Sequence, residues 1–283
     1  MIVDCHTHIW EKSHFSEAFL SETAAAYPGA QLPVDLDAHF QAMEPVDCAI
    51  VFGMQARATG IFVPNDYVAD YVRRAPHKLV GFASVDPNDE GAADEVVRSV
   101  QELGLSGLKL GPIYQNIHPH DPRIYRVYRI AESLRIPILI HQGATFPRGA
   151  PLEYAPPLLL ERVALDFPQL KLVIAHLGHP WEADTIVLIR KQPNVYADVS
   201  ALFYRPWQFY NSMRLAQEYG VQKKLLLGSD YPFTTPQQTI DHLRSLNELP
   251  RNSSLPPIDP EAVEAIIRRD TLALLGIQAG AAA

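Results

Sequence analysis

Eight short apolar segments separated by helical patterns predict an α/β fold, a distorted (β/α)8 TIM barrel with a C-terminal helical extension. The segments start near residues 2, 48, 79, 107, 137, 171, 194 and 225. They are continuously apolar, which is typical of parallel strands covered by helices. Eight strand–helix units within about 230 residues match the count and length of such a barrel. We therefore assign all 283 residues, 1–283, to a single domain.

The first half of the chain supplies four of the predicted strands. The first strand opens the chain and is followed by a long excursion over residues 9–45. Within it, Leu36, Phe40 and Met43 recur at helical spacing and predict a helix over 33–44. The next strands are predicted at 48–52, 78–83 and 107–110, and helices at 92–103 and after Asn65 and Asp121. The last of these helices begins with an Asp–Pro pair, and both residue types are preferred at a helix start.

The second half supplies the other four strands and the extension. Strands are predicted at 136–140, 170–175, 195–199 and 224–229, and helices at 158–167, 182–191 and 213–219. Two further helices, at about 236–248 and 260–275, form the C-terminal extension over 236–276. The final residues, 279–283, are expected to be frayed.

Composition and charge argue against several function classes. The net charge of −8, with no block of Lys or Arg, argues against a binder of nucleic acids or acidic membranes. Two cysteines, Cys5 and Cys48, give no disulfide framework and indicate a reducing compartment. The sequence shows neither a secretory signal pattern nor a run of about 18 apolar residues that would span a membrane. We therefore expect a cytoplasmic protein with no nucleic-acid or membrane partner.

Two histidines one residue apart, His6 and His8, stand at the end of the first predicted strand. Side chains alternate along a strand, so both imidazoles face the same side, with their Cα atoms about 6–7 Å apart. That arrangement suits two ligands of one metal ion. Taken alone the pair is weak evidence, because surface and core histidines are more common than ligands.

Three further polar residues follow other predicted strands. His141, His176 and Asp230 stand at the C-terminal ends of the fifth, sixth and eighth. In a barrel these ends converge on the face where active sites are built. The first and last strands are neighbours, so Asp230 should lie beside the histidine pair. Imidazoles with one carboxylate suit Zn²⁺ or a similar divalent ion, although each residue could instead cap a strand or shape a turn.

Five segments in order along the chain resemble the amidohydrolase superfamily, in the "amidohydrolase 2" branch related to aminocarboxymuconate-semialdehyde decarboxylase. They are residues 4–8, 107–110, 137–141, 174–178 and 227–232. The resemblance implies the following ligand and catalytic residues: His6, His8, His141 and Asp230 as metal ligands, and His176 as an acid/base beside the metal. It also implies a homodimer. The family's closing Asn–Ala pair is replaced here by Asp270-Thr271, far from the metal face.

These residue types could perform metal-assisted catalysis, and they are compatible with hydrolysis and with decarboxylation. A divalent ion lowers the pKa of bound water to about 7, and Asp230 could hold that water and pass on its proton. His176 suits proton transfer near neutral pH. We expect one ion, Zn²⁺ with Mn²⁺ as the alternative, although some superfamily members carbamylate a fourth-strand lysine, here Lys109, to bridge two metals. No Gly-X-Ser-X-Gly elbow or phosphate-binding Gly-rich loop appears, so we expect no serine nucleophile and no nucleotide cofactor.

Several residues after the strands are candidates for substrate contact. Arg57 resembles the arginine that meets a substrate carboxylate in related decarboxylases, and a solvated arginine is the alternative. The aromatic and cationic residues expected over the same face suit a small planar anion. The substrate candidates are Arg57, Lys109, Tyr114, His179, Tyr204, Arg205 and Trp10.

Three functions are compatible with this pattern. We favour a metal-dependent hydrolase of a small carboxylated, lactone- or amide-like substrate, acting through metal-activated water. The alternative is a non-oxidative decarboxylase of an aromatic or unsaturated acid, which would use the same ligands. A catalytically silent barrel that binds only a metal or ligand is disfavoured by the intact ligand set.

Overall fold

Ten strands and eleven α-helices make up the part of the chain that the computed structural model describes, residues 1–30 and 32–278. The strands are β1 Val3–His8, β2 Cys48–Phe52, β3 Gln55–Ala56, β4 Ile61–Phe62, β5 Leu79–Ser84, β6 Leu108–Leu110, β7 Ile138–Ile140, β8 Leu172–Ile174, β9 Val195–Asp198 and β10 Leu225–Leu226. The helices are α1 Glu17–Ala26, α2 Leu36–Ala42, α3 Asn65–Arg73, α4 Ala92–Gln101, α5 Pro122–Leu134, α6 Leu159–Asp166, α7 Glu182–Lys191, α8 Pro206–Glu218, α9 Pro236–Arg244, α10 Pro260–Ile267 and α11 Thr271–Leu275.

Eight of the strands form one parallel sheet in the order β1-β2-β5-β6-β7-β8-β9-β10. The two edges meet through the segment after β10. The amide of Cys5 donates to the carbonyl of Leu227 at 2.9 Å, and the amide of Asp230 donates to the carbonyl of His6 at 2.8 Å. The amide of His8 donates to the carbonyl of Tyr231 at 2.7 Å. The predicted α/β barrel is confirmed, and β10 contributes only two residues to it.

A bulge in β1 determines which of its side chains share a face. Asp4 pairs with Ala49 and Thr7 pairs with Val51, so Cys5 and His6 together oppose the single residue between them on β2. Such an extra residue shifts the alternation of side chains by one position. His6 and His8 therefore lie on the side of β1 that faces the Phe52 ring, at 5.2 and 4.8 Å between ring centroids.

Apolar residues cover both faces of the sheet. One buried cluster lies between the strands and the surrounding helices and includes Leu108 and Ile138 together with Ile124 of α5. A second buried cluster joins strand residues such as Val3, Ile50 and Phe82 to Leu272 and Leu275 of α11. Burial on both faces explains why the strands are apolar runs. None of the helices in the described ranges combines the length and apolarity needed to cross a bilayer.

Several element boundaries differ from the sequence predictions. The excursion contains α1, which Ser16 caps by accepting from the amide of Phe19, and its alanine-rich sequence has little helical periodicity. The hairpin of β3 and β4 was missed because each strand has only two residues. Helix α8 starts at Pro206, earlier than the predicted 213. The helix predicted over 260–275 is two helices, α10 and α11, because the Asp270 side chain caps a new helix start. The fraying predicted for 279–283 lies outside the described residues.

Substituting Gly107 by alanine should destabilise the barrel. An added Cβ would lie 2.6 Å from two atoms of the Phe82 ring, and that ring is fully buried. Overpacking of this kind costs about 1–3 kcal/mol, so we expect a loss of that size in urea-induced unfolding. Gly149→Ala is the control, because its added Cβ would meet only the carbonyl oxygen of Ala58, at 3.7 Å. Equal stability of the two variants would contradict the packing described here.

Candidate metal centre and active site

Two imidazoles and one carboxylate converge at the junction of β1 with the segment after β10. Nε2 of His6 lies 3.3 Å from Oδ1 of Asp230, and Nε2 of His8 lies 3.4 Å from the same oxygen. One ligand atom from each of His6, His8 and Asp230 lies within 4.8 Å of the others. The predicted proximity of Asp230 to the histidine pair is therefore confirmed. This donor set is suited to a divalent transition-metal ion.

The protonation of these groups fits metal binding. Burial lowers the pKa of His6 to about 4 and holds the pKa of His8 well below its usual value. Both imidazoles are then neutral at pH 7, which is the form that coordinates metals. Burial also raises the pKa of Asp230 well above its usual value, while the positive charge of Lys109 opposes that rise. A bound cation would offset the cost of burying the Asp230 carboxylate.

Asp198, at the end of β9, orients His6. Its Oδ2 lies 2.9 Å from Nδ1 of His6, and both side chains are fully buried. Burial alone would raise the pKa of Asp198, but the neighbouring His6 holds it well below its usual value. With Nδ1 occupied, Nε2 is the His6 nitrogen left for a metal. Sequence reasoning missed Asp198, although its position at a strand end was a signal.

His176 follows β8 and lies against the same group. Its Nδ1 lies 2.8 Å from Oγ of Ser200, and its backbone amide donates to Oδ1 of Asp198 at 3.0 Å. Its ring stacks on that of His6, with 4.8 Å between centroids. His176 therefore lies beside the donor group, and its role as an acid/base stays a prediction.

The backbone around this centre is strained. His176, Leu177, Ala201 and Asp230 have φ values of 53°, 50°, 53° and 63°. Each lies in the left-handed region, which costs a non-glycine residue roughly 1–2 kcal/mol. Strain of this kind persists where surrounding structure enforces it and is concentrated at functional sites.

Lys109 on β6 points into the barrel toward His6 of the donor group. Its Nζ lies 3.1 Å from Nε2 of His6 and 4.6 Å from the centroid of the Phe52 ring. Burial lowers the pKa of Lys109 to about 8, with Asp230 opposing that shift. The ammonium is therefore largely retained at pH 7 and is available to an anion bound beside the metal group.

His141 lies nearby but outside the compact donor group. Its ring centroid is 5.3 Å from that of His176 and 4.9 Å from that of Tyr114. Its Nε2 lies 3.2 Å from the carbonyl oxygen of Ala144. His141 as a fourth ligand thus stays a prediction.

A pocket with aromatic walls opens above this centre. Trp10 stacks on His8, with 4.3 Å between ring centroids. The excursion after β1 adds Phe19 and Tyr27 to the wall. The lining residues are His8, Trp10, Phe19, Tyr27, Met54, Ile61, Lys109, Tyr114, His141, Ala144, Thr145, Phe146, His176, His179, Ala201, Tyr204, Arg205, Asp230 and Phe233.

Of the seven substrate candidates, Arg57 is the one that does not line this pocket. Its guanidinium lies 3.9 Å from the centroid of the Phe62 ring, and its Nε lies 3.3 Å from Oδ2 of Asp89. The side chain is 57% exposed. Arg57 thus lies at the surface, as in the solvated-arginine alternative, and its contact with a substrate carboxylate stays a prediction.

Comparison with known proteins gives both a family match and a curated relative. The amidohydrolase family model (Amidohydro_2) matches residues 3–277. A 2-amino-3-carboxymuconate-6-semialdehyde decarboxylase from Dictyostelium discoideum is 24% identical over 224 residues, covering 68% of this chain and 62% of that protein. The match thus spans less than two thirds of the relative's length.

Solved structures share the fold at low identity. A 5-carboxyvanillate decarboxylase from Novosphingobium aromaticivorans, with bound manganese and a nitrobenzoic acid, has a TM-score of 0.72 at 14% identity, covering 98% of this chain and 97% of that chain. A probable 2-pyrone-4,6-dicarboxylic acid hydrolase from Acinetobacter baumannii has a TM-score of 0.69 at 18% identity, covering 98% of this chain and 99% of that chain. These likenesses support the barrel assignment.

Asp198→Asn should weaken metal binding without unfolding the protein. The asparagine keeps an oxygen acceptor but loses the charge that fixes the His6 ring. Loss of such an outer hydrogen bond lowers metal affinity by about 10- to 100-fold. The test is titration of Mn²⁺ and Zn²⁺ against a chelating dye, with the exposed Asp94→Asn as control. Unchanged affinity in Asp198→Asn would show that this carboxylate does not support the metal centre.

Proposed function

Because the chain belongs to the amidohydrolase family, we propose that it is a divalent-metal-dependent decarboxylase of an aromatic or unsaturated carboxylic acid. The observation that carries this proposal is the group of His6, His8 and Asp230 beside the Lys109 ammonium, at the inner end of a pocket with aromatic walls. The family match also confirms the sequence resemblance and the prediction of an amidohydrolase-type enzyme.

The pocket is suited to holding a planar acid. The indole of Trp10 and the ring of Tyr114 provide flat walls, and aromatic walls favour a flat ring or conjugated chain. The Lys109 ammonium would neutralise the reacting carboxylate of the substrate, bound close to His6. Walls of this kind also exclude water, which strengthens the charge interactions inside the pocket.

The reaction replaces a carbon–carbon bond by a carbon–hydrogen bond. Carbon dioxide leaves, the electron pair of the broken bond stays on the substrate carbon, and one proton joins that carbon. When bound, the metal would supply positive charge that stabilises the negative charge developing on the substrate. We assign the proton transfer to His176 and Asp230, and the hydrogen bond between Nδ1 of His176 and Oγ of Ser200 holds the His176 ring in place.

The donor set is compatible with more than one metal. Imidazole and carboxylate donors suit Zn²⁺ and Mn²⁺ alike. The sequence prediction is Zn²⁺, and the manganese in the structurally similar 5-carboxyvanillate decarboxylase supports Mn²⁺ as the alternative. A homodimer and a cytoplasmic location remain predictions.

Hydrolysis is the second candidate, favoured by the likeness to the probable 2-pyrone-4,6-dicarboxylic acid hydrolase. In that reaction Asp230 and His176 would move the protons of an attacking water. The decarboxylase is preferred because the curated relative and the manganese-containing neighbour are both named as decarboxylases.

Products distinguish the two reactions. Protein purified without chelator and supplied with Mn²⁺ or Zn²⁺ is incubated with carboxylated aromatics, muconate-like acids and lactones. We expect carbon dioxide in equal amount to the decarboxylated product, with activity lost on chelation and restored by the metal. Acid release without carbon dioxide would contradict the proposal and favour the hydrolase. Neither product, together with no bound metal, would favour a silent barrel.

Two variants separate proton transfer from metal binding. His176→Asn should keep its metal and lose about 10²- to 10⁴-fold in turnover, the usual contribution of an acid/base group. Asp230→Ala should lose both activity and metal affinity, because its carboxylate belongs to the donor group. Metal content by atomic emission and rate of carbon dioxide release are measured on each. Metal loss in His176→Asn would show that this residue is a ligand.

A further inference from the structure

Two further polar side chains, His179 and Arg205, line the pocket without belonging to the metal donor group. We propose that His179 and Arg205 form a second anion subsite, and that the preferred substrate carries a second acidic group besides the reacting carboxylate. This inference rests on the proposed function in one respect, since it takes the first acidic group to be the one at the metal. Glu182 is assigned as the positioning residue of the subsite.

Glu182 holds His179 in a defined orientation. Its Oε1 lies 2.7 Å from Nδ1 of His179, and its side chain is 7% exposed, against 21% for the histidine. With Nδ1 engaged, Nε2 is the nitrogen of His179 that remains for the pocket it lines. An imidazolium between a buried carboxylate and a bound anion would donate one N–H to each.

The same carboxylate connects His179 to the start of α8. The other oxygen of Glu182 accepts a hydrogen bond from Nε2 of Gln208 at 3.2 Å. Gln208 lies in the first turn of α8, and Arg205 is the residue that precedes this helix. Glu182 thus links the loop after β8, which carries His179, to the start of α8, which Arg205 precedes.

Arg205 is available to a ligand. It lines the pocket, and within residues 1–30 and 32–278 its guanidinium has no ion pair or hydrogen bond. Arg57, by contrast, pairs with Asp89. A guanidinium presents two parallel N–H groups to a carboxylate, and this bidentate pairing is among the strongest charge-assisted contacts.

Two phenols, those of Tyr27 and Tyr204, also line the pocket. Burial raises the pKa of Tyr27 and of Tyr204; the charge of Asp230 adds to the rise and that of Arg205 opposes it. A planar ring held among these aromatic residues would direct one acidic group to Lys109 and another to Arg205.

Binding of a matched ligand pair tests the subsite without turnover. Isophthalate and its monomethyl ester have similar shapes, and the ester lacks one negative charge. On the Mn²⁺-loaded full chain, calorimetry should give isophthalate a lower Kd than the ester by about 10- to 100-fold. Arg205→Gln and His179→Gln should each reduce this ratio severalfold, leaving the Kd of the ester unchanged. Arg57→Gln is the control and should keep the ratio.

Glu182→Gln tests the positioning role. We expect a reduced isophthalate-to-ester preference at unchanged Tm and unchanged ester affinity, whereas a purely structural role would weaken both ligands equally. The subsite would be overturned if the unmodified protein did not bind isophthalate, or bound isophthalate and the ester equally. It would also be overturned if Arg205→Gln kept the full preference for isophthalate. A full preference without carbon dioxide release from any acid would instead reject the decarboxylase and leave the subsite standing.

Discussion

The structure depends on the closure of the barrel between its first and last strands. Three backbone hydrogen bonds join β1 to residues 227–231, and they set Asp230 beside His6 and His8. The buried Asp4 carboxylate reinforces the junction, because its Oδ1 accepts from the amides of His6 at 3.0 Å and Ser229 at 2.9 Å. Residues more than two hundred positions apart in sequence thereby become neighbours, and the metal donors are held by backbone geometry rather than by flexible loops.

Burial at this junction forces the charges to be balanced locally. Asp198 is fully buried and is stabilised in its ionised form by the hydrogen bond with Nδ1 of His6, while burial keeps the neighbouring imidazoles neutral. Lys109 brings a positive charge to within 3.1 Å of His6. A divalent cation would complete this balance, since the carboxylate of Asp230 is otherwise costly to ionise there. The same residues therefore account for stability and for the proposed chemistry.

The barrel positions the proposed metal donors, and the connecting segments add most of the pocket walls. Helix α1 of the excursion contributes Phe19, and the loops after the strands contribute Phe146 and Arg205. Loops tolerate change in sequence more readily than strands do, so they are where one barrel acquires its own substrate. The proposed second anion subsite belongs to these connecting segments, whereas the proposed metal donors lie at the junction of β1 with the segment after β10.

The sequence by itself determined the eight-stranded barrel, because strands buried on both faces appear as continuous apolar runs. It also determined that His6, His8, His176 and Asp230 lie close together, because each of them stands at the C-terminal end of such a run. Only the tertiary structure decided the β1 bulge, the contact of Asp198 with His6, the two-residue hairpin strands and the surface pairing of Arg57. These features depend on contacts between distant residues or on elements too short for periodicity. Hydrophobic periodicity reports which segments are buried, whereas the partner of a polar side chain is set by the packing of the whole barrel.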